Sequence, residues 1–255
     1  MKAAAIEVVE ALRCDEGRYW AYTCQSAACC PVAGHPYSVS DSRFAAAAVA
    51  AGMVALPSRA ALLDLIAPVD GPAREEMVVA TTRAEAQAAA LLAEIEDDRY
   101  WIDEALFHLD RCLQHLCEGQ AIPTEALATL GVLITSITIR DLTFAISFSR
   151  YSHKRARQLW VEMTRRLDPD YVPAAAGNLA LYACHRGEGV LARAAAERAL
   201  ALTPTYSLAH LVMAALDTDV PIEKLARIDF AEIAQLVRED LDAHPASARP
   251  ILAAR

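Results

Sequence analysis

The residues most able to do chemistry lie in one short loop near the N-terminus. Cys24, Cys29 and Cys30 fall within one stretch of seven residues, and His35 follows shortly after them. Thiolates and an imidazole together are ligands that bind zinc tetrahedrally. The sequence therefore makes Cys24, Cys29, Cys30 and His35 a candidate metal site, with zinc as the candidate ion.

The same loop is open to other interpretations. Its cysteines do not follow the usual Cys-x2-Cys spacing, and adjacent cysteines rarely bind one zinc ion. Two of the thiols could instead form a structural or redox-active disulfide. Cys29 or Cys30 could act as a nucleophile with His35 as its base, although the sequence shows no third group to orient that base. A reduced loop packed on its neighbours is the simplest interpretation, so no cofactor is expected unless zinc binds.

The elements that must position this loop are two β-prone runs. Residues 6–13 and 18–24 are rich in strand-forming side chains, and the link at 14–17 contains Gly17. Two such runs joined by a short glycine-containing link predict a β-hairpin. Residues 25–42 are then predicted as a loop, followed by a helix at about 42–52. A hairpin, a Cys-rich loop and short helices thus make up a predicted first region, residues 1–68.

The rest of the chain, residues 69–255, is predicted to be a helical domain. Alanine, the best helix former, dominates its apolar residues. Apolar side chains recur at three- and four-residue spacing over about 99–117, which indicates one buried helix face. Cys112, Cys117 and Cys184 fall in predicted helices and are expected in the core. The predicted fold class is mainly α: a multi-helix array plus a small N-terminal β-hairpin.

An internal repeat organises the second half. Leu167-Asp168-Pro169-Asp170-Tyr171 returns as Leu202-Thr203-Pro204-Thr205-Tyr206, so Leu, Pro and Tyr recur at an offset of 35 residues. A period of this size is typical of helix-turn-helix arrays. It predicts tetratricopeptide-like helix pairs at about 155–216, with helices near 173–185, 188–201 and 205–216. Two units are too few to be stable alone, so they are expected to pack on the preceding helices.

Composition narrows the functional classes. The formal net charge of −9 disfavours nucleic acid as a partner. No apolar run reaches the roughly 18–20 residues of a membrane span, and the N-terminus lacks the apolar core of a signal peptide, so a cytoplasmic protein is expected. The sequence carries no Gly-rich phosphate loop, His-Glu-x-x-His pair or Gly-x-Ser-x-Gly elbow, which favours a non-enzymatic role.

Two functional hypotheses follow from these observations. The first is a non-enzymatic helical scaffold or protein-interaction module, because tandem helical units commonly hold peptide segments on their concave faces. The second is a metal- or small-molecule-binding protein that uses the Cys24, Cys29, Cys30 and His35 loop. Arg140-Asp141 is either a charge pair within one helix or part of a polar pocket, and the sequence does not separate these two readings.

Several motifs resemble an actinobacterial domain-of-unknown-function family, number 4192, over most of residues 6–225. They are Gly17-Arg18-Tyr19-Trp20-Ala21-Tyr22-Thr23-Cys24, Cys29-Cys30-Pro31 with Gly34 and Pro36, Ala48-Val49-Ala50-Ala51-Gly52, Leu56-Pro57-Ser58-Arg59, Arg140-Asp141, Leu159-Trp160, and the stretch from Arg186-Gly187-Glu188-Gly189 to Tyr206-Ser207-Leu208-Ala209. The resemblance implies an actinobacterial cytoplasmic protein with the cysteine loop as its signature, and no assigned activity. Members usually carry an α/β segment before the hairpin, so the chain is expected to be a short or truncated form that could self-associate.

Overall fold

The computed structural model describes residues 9–24, 26, 28–38, 43, 46–47, 58–218 and 227–253. The chain forms two compact units, residues 1–56 and residues 57–255. Most of the helix predicted at about 42–52 lies outside the described residues.

The first unit contains a three-stranded antiparallel sheet in the order β1-β2-β3. Its strands are β1 (Leu12–Asp15), β2 (Arg18–Ala21) and β3 (His35–Pro36). Asp15 pairs with Arg18, so the hairpin loop is the dipeptide Glu16-Gly17, with φ angles of 44° and 72°. Positive φ at both central residues is the geometry that matches the twist of a two-residue hairpin.

The predicted hairpin is confirmed, but two of its details were wrong. Cys14 and Asp15, predicted as part of the link, belong to β1. The loop prediction for residues 25–42 missed β3, in which His35 pairs with Tyr19 and Pro36 with Arg18. Proline lacks a backbone N–H and therefore argues against a central strand, but an edge strand tolerates it.

The second unit is helical, which confirms the mainly α fold class. Its helices are α1 (Arg59–Leu65), α2 (Pro72–Glu94), α3 (Arg99–Cys117), α4 (Thr124–Leu133), α5 (Ile137–Arg150), α6 (His153–Arg166), α7 (Val172–His185), α8 (Gly189–Leu202), α9 (Ser207–Asp217) and α10 (Phe230–Ala243), followed by a 3-10 turn at Pro245–Ala248. Among the described residues, none of these helices has the length and apolar character needed to cross a bilayer.

Alanine packing defines the centre of this unit. Helices α7 and α8 make the most extensive helix–helix contact of the described residues. Their facing side chains are mostly fully buried alanines, among them Ala180, Ala192 and Ala199. A methyl side chain lets two helix backbones approach closely while the interior stays densely packed. The helices predicted at about 173–185, 188–201 and 205–216 match α7, α8 and α9, whereas their assignment to the tetratricopeptide class stays a prediction.

The large side chains of the core lie mainly on α3 to α6. Trp101, Trp160, Leu109, Leu127 and Leu142 are each at most 1% exposed. Cys112 and Cys184 are buried, as expected from the sequence. Cys117 is exposed and not a core residue, because it is the last residue of α3, where the helix reaches the surface.

Candidate functional site

Three thiols converge in the loop that follows β2. The backbone N–H groups of Cys29 and Cys30 both donate to the carbonyl oxygen of Ser26, at 3.1 Å and 2.7 Å. This tight turn folds the second and third cysteines back toward the first. The Sγ atoms of Cys24, Cys29 and Cys30 all lie within 4.8 Å of one another, and all three cysteines are free thiols.

The thiols differ in acidity because they hydrogen-bond to one another. The pKa of Cys24 lies below its ordinary value because the backbone N–H of Ser26 and the thiol of Cys30 donate to its sulfur. The pKa of Cys30 is raised to about 11, since its proton is held by that same bond to Cys24 and since it is partly desolvated. Cys24 is therefore the thiol of this pair that ionises first, and a thiolate is the form that binds metal or attacks a disulfide.

His35 lies close to the thiol cluster but its side chain is occupied elsewhere. Its Nε2 atom is 2.5 Å from the carbonyl oxygen of Cys29, and its ring stacks on Tyr19 at a centroid distance of 5.1 Å. A carbonyl oxygen only accepts, so Nε2 carries the proton and cannot also bind a metal ion. Of the four residues singled out by the sequence, the structure brings the three cysteines together and leaves His35 outside their cluster.

Strand β2 braces the other end of the loop. The indole Nε1 of Trp20 donates to the carbonyl of Val32 at 2.9 Å, and the Arg18 guanidinium donates to the carbonyls of Ala33 and Gly34. Gly34 has φ of +70°, and a Cβ atom there would lie 2.5 Å from the Trp20 ring. Only glycine fits this close approach, so Trp20 of β2 holds the cysteine loop against the sheet.

This geometry is compatible with a metal ion or with a disulfide. A Zn–S bond of about 2.3 Å places the sulfur atoms of a tetrahedral site about 3.8 Å apart, within the limit that the three thiols already meet. Soft thiolate sets select zinc or monovalent copper over hard cations such as magnesium. A disulfide would require two of the same sulfur atoms to approach to about 2.05 Å.

A second polar site lies in the helical unit, and the sequence did not predict which residues form it. The buried Arg140 donates from Nε to Asp141 at 2.8 Å and from Nη1 to the hydroxyl of Tyr206 at 2.9 Å. Arg140 is thus one member of a charge pair with Asp141, and it also lines a cavity of about 430 Å³ together with Tyr206. The repeat had marked Tyr206 as a recurring residue, but nothing in the sequence indicated its contact with a helix 66 residues earlier.

Comparison with known proteins places the chain by sequence. The family model described as "Domain of unknown function (DUF4192)" matches residues 1–222. The chain belongs to this family. The match confirms the resemblance carried by the cysteine loop and the downstream motifs, and it adds no activity. No curated protein and no solved structure matches the chain.

Proposed function

We propose that this member of the family is a non-enzymatic metal-binding protein that holds a zinc ion through Cys24, Cys29 and Cys30. The observation that carries the proposal is the convergence of three free thiols within 4.8 Å. Thiolates are strong ligands for this ion, and three of them supply most of a tetrahedral shell. The fourth position belongs to water or to a group from a partner, because neither ring nitrogen of His35 lies within the cluster of the three sulfur atoms.

The electrostatics of the loop support this assignment. Cys24 has a lowered pKa because the Ser26 backbone N–H and the Cys30 thiol donate to its sulfur, so it forms the first thiolate more easily than an ordinary cysteine. Cys30 gives up its proton less easily, with a pKa of about 11, but a bound cation lowers the pKa of a coordinating thiol outright. Metal binding should therefore release protons and should weaken as the pH falls.

Metal analysis of protein purified without chelator tests the proposal. We expect one zinc per chain in the unaltered protein, and loss of that zinc in Cys29→Ser. Cys117→Ser is the matched control, because Cys117 is also exposed but lies on α3 outside the cluster. His35→Ala should retain the metal. Absence of zinc, or its retention in Cys29→Ser, contradicts the proposal, and a mass two hydrogens lower with two fewer titratable thiols would show a disulfide instead.

A scaffold role for the helical unit is the second candidate, and helix α9 favours it. Eight of the eleven residues of this helix are apolar, yet in the described part of the chain Ala209 and Val212 are the only buried residues of the helix. Leu211 is 67% exposed. In arrays of helix pairs the terminal helix presents such a face to its next neighbour, and exposed apolar surface of this kind marks an interaction site. A partner helix, or a second copy of the chain, would cover it.

Two variants distinguish a specific partner surface on α9 from nonspecific hydrophobic association. Leu211→Glu places a charge on the exposed face of α9, and Leu236→Glu does the same on α10, where Leu236 is 56% exposed. Light scattering after size exclusion and a cross-linked pull-down from the native host measure self-association and partner capture. We expect Leu211→Glu alone to abolish them. The scaffold role would be wrong if the protein is a monomer and captures no partner whose binding is lost in Leu211→Glu.

A further inference from the structure

The cavity beside Arg140 has the size and lining of a small-molecule site. Its volume is about 430 Å³, inside the range of roughly 300–1,000 Å³ typical of ligand pockets. It lies where α5, α7 and α9 begin, and residues 251–253 close one side of it. The apolar part of its lining includes Ile134, Ile137, Pro173 and Ala174, and the hydroxyl-bearing part includes Thr135, Thr203, Thr205, Tyr206 and Ser207.

Arg140 is the charged group at the bottom of this cavity. It is 7% exposed, and it is the fourth residue of α5. A cation in the first turn of a helix opposes the helix dipole, and burial adds a desolvation cost. Asp141 offsets that cost only in part, because its side chain is 44% exposed and therefore screened by water. The protein thus keeps a buried positive charge in a place where folding alone disfavours it.

The hydrogen bonds described around Arg140 use only part of its donor capacity. A guanidinium has five N–H groups. Nε and Nη2 face the Asp141 carboxylate at 2.8 Å and 2.7 Å, and Nη1 uses one N–H on Tyr206. The Tyr206 hydroxyl accepts that bond, so its own proton remains to be donated.

The remaining charge near the cavity is acidic and lies at its rim. Asp170 lines the opening and is exposed, so it repels an anion only through water. The interior thus offers one cation, hydroxyl donors and an apolar wall. That combination suits a molecule with an apolar body and one anionic head.

We propose that this cavity binds a small amphipathic acid whose carboxylate or phosphate head is held by Arg140 and Tyr206. Its apolar body would lie against Ile137, Pro173 and Ala174. The inference is independent of the thiol cluster and of the α9 surface, so it stands or falls separately from both proposed functions.

Titration of the full chain with a matched series of probes tests the inference. Hexanoate, hexyl phosphate and uncharged 1-hexanol share one apolar body and differ in the head group. Amide chemical shifts of residues 205–209 report binding at the start of α9. We expect saturable shifts with one or both anions, and affinity for 1-hexanol lower by about tenfold or more, since the uncharged head group cannot form a charge-assisted pair with Arg140. The tighter anion identifies the head group.

Two substitutions should change the affinity in opposite directions. Tyr206→Phe removes one donor and should weaken anion binding about 5- to 10-fold. Asp141→Asn removes the carboxylate that competes for Arg140 and should tighten it by a few-fold, an effect that mere damage to the fold would not produce. Asp217→Asn, in the exposed pair with Arg193, is the surface control and should change nothing. Equal affinity for 1-hexanol, no saturable shift, or weaker binding in Asp141→Asn overturns the inference.

Discussion

Different interactions stabilise the interior of each of the two units of this protein. In the first unit, Gly34 is the only buried residue among those the structure describes, and the sheet and thiol loop are ordered by hydrogen bonds such as that from Trp20 to Val32. The helical unit instead buries whole faces of α3 to α8 in one apolar core. Burial of apolar area stabilises by about 25 cal/mol per Å², whereas a hydrogen bond contributes about 0.5–1.5 kcal/mol net.

This difference explains where chemistry can reside in the molecule. A small sheet with little core is marginal alone, and small units of this kind commonly gain stability from metal ions or disulfides. The thiol cluster lies in the unit that needs such a bond. The helical unit has a large apolar core, and within that unit Arg140 is buried at a site where packing alone would prefer an apolar side chain.

The largest expected effect tests the core of the helical unit. Trp160 is fully buried, and its indole nitrogen donates to the hydroxyl of Ser147 at 3.1 Å. Trp160→Ala leaves a cavity and should reduce the free energy of unfolding by about 3–5 kcal/mol. Urea unfolding followed by far-ultraviolet circular dichroism measures it. Trp160→Phe should recover a large part of the loss, and a cost below about 1 kcal/mol in the alanine variant would show that the core does not depend on this side chain.

The sequence predicted the helical unit well because its signals are local and repeated. The spacing of Leu106, Leu109 and Leu113 defined α3, and the predicted bounds of about 99–117 agree with Arg99–Cys117. The repeat at offset 35 likewise located α7 to α9. Apolar periodicity indicates which face of a helix is buried. That face can therefore be predicted without knowing which helix packs against it.

What the sequence missed depends on contacts between distant residues. Strand β3 contains Pro36, whose local preference opposes a strand, and pairing with β2 overrides that preference. Arg140 and Tyr206 meet only because α5 and α9 begin at the same cavity. Of the four predicted ligands, the three cysteines converge and His35 lies outside their cluster. The His35 ring instead hydrogen-bonds to the Cys29 carbonyl and stacks on Tyr19, and neither contact can be predicted from sequence spacing.

A pair of glycine substitutions compares a close approach with an ordinary van der Waals contact in the helical unit. A Cβ on Gly177 of α7 would lie 2.7 Å from Cε1 of Tyr206, whereas one on Gly189 of α8 would lie 3.9 Å from Leu216. Gly177→Ala should cost about 1–2 kcal/mol, because overpacking exceeds the gain in helix propensity. Gly189→Ala should be neutral or stabilise by up to about 1 kcal/mol. Equal urea midpoints would refute the close approach of Tyr206 to α7.

A second glycine pair tests the close approach of Trp20 to Gly34 in the small unit, with Gly119 of the helical unit as the control. Gly34 and Gly119 both have φ near +70°, but a Cβ on Gly34 would meet the Trp20 ring, whereas one on Gly119 meets no described atom within 4 Å. Left-handed backbone costs an alanine about 1–2 kcal/mol at either position. Gly34→Ala should therefore accelerate amide hydrogen exchange in residues 18–35 by more than the tenfold that about 1.4 kcal/mol produces. Gly119→Ala should leave that exchange unchanged, and equal effects would mean that Trp20 does not brace the loop.

The smallest effect concerns the order in which the thiols ionise. Alkylation by iodoacetamide, mapped by mass spectrometry on metal-free protein between pH 6 and pH 10, follows the thiolate fraction of each cysteine. The rate at Cys24 should reach half its maximum at a lower pH than the rate at an ordinary thiol, because the pKa of Cys24 is lowered by donors from Ser26 and Cys30. The rate at Cys30 should still be rising at pH 10, since its pKa is about 11.

Cys30→Ala removes one donor and should move the Cys24 profile to higher pH, whereas Cys117→Ser should not move it. If Cys24 and Cys30 share one pH profile, the thiols do not hydrogen-bond to one another, and the convergence on which the metal proposal rests is absent in solution.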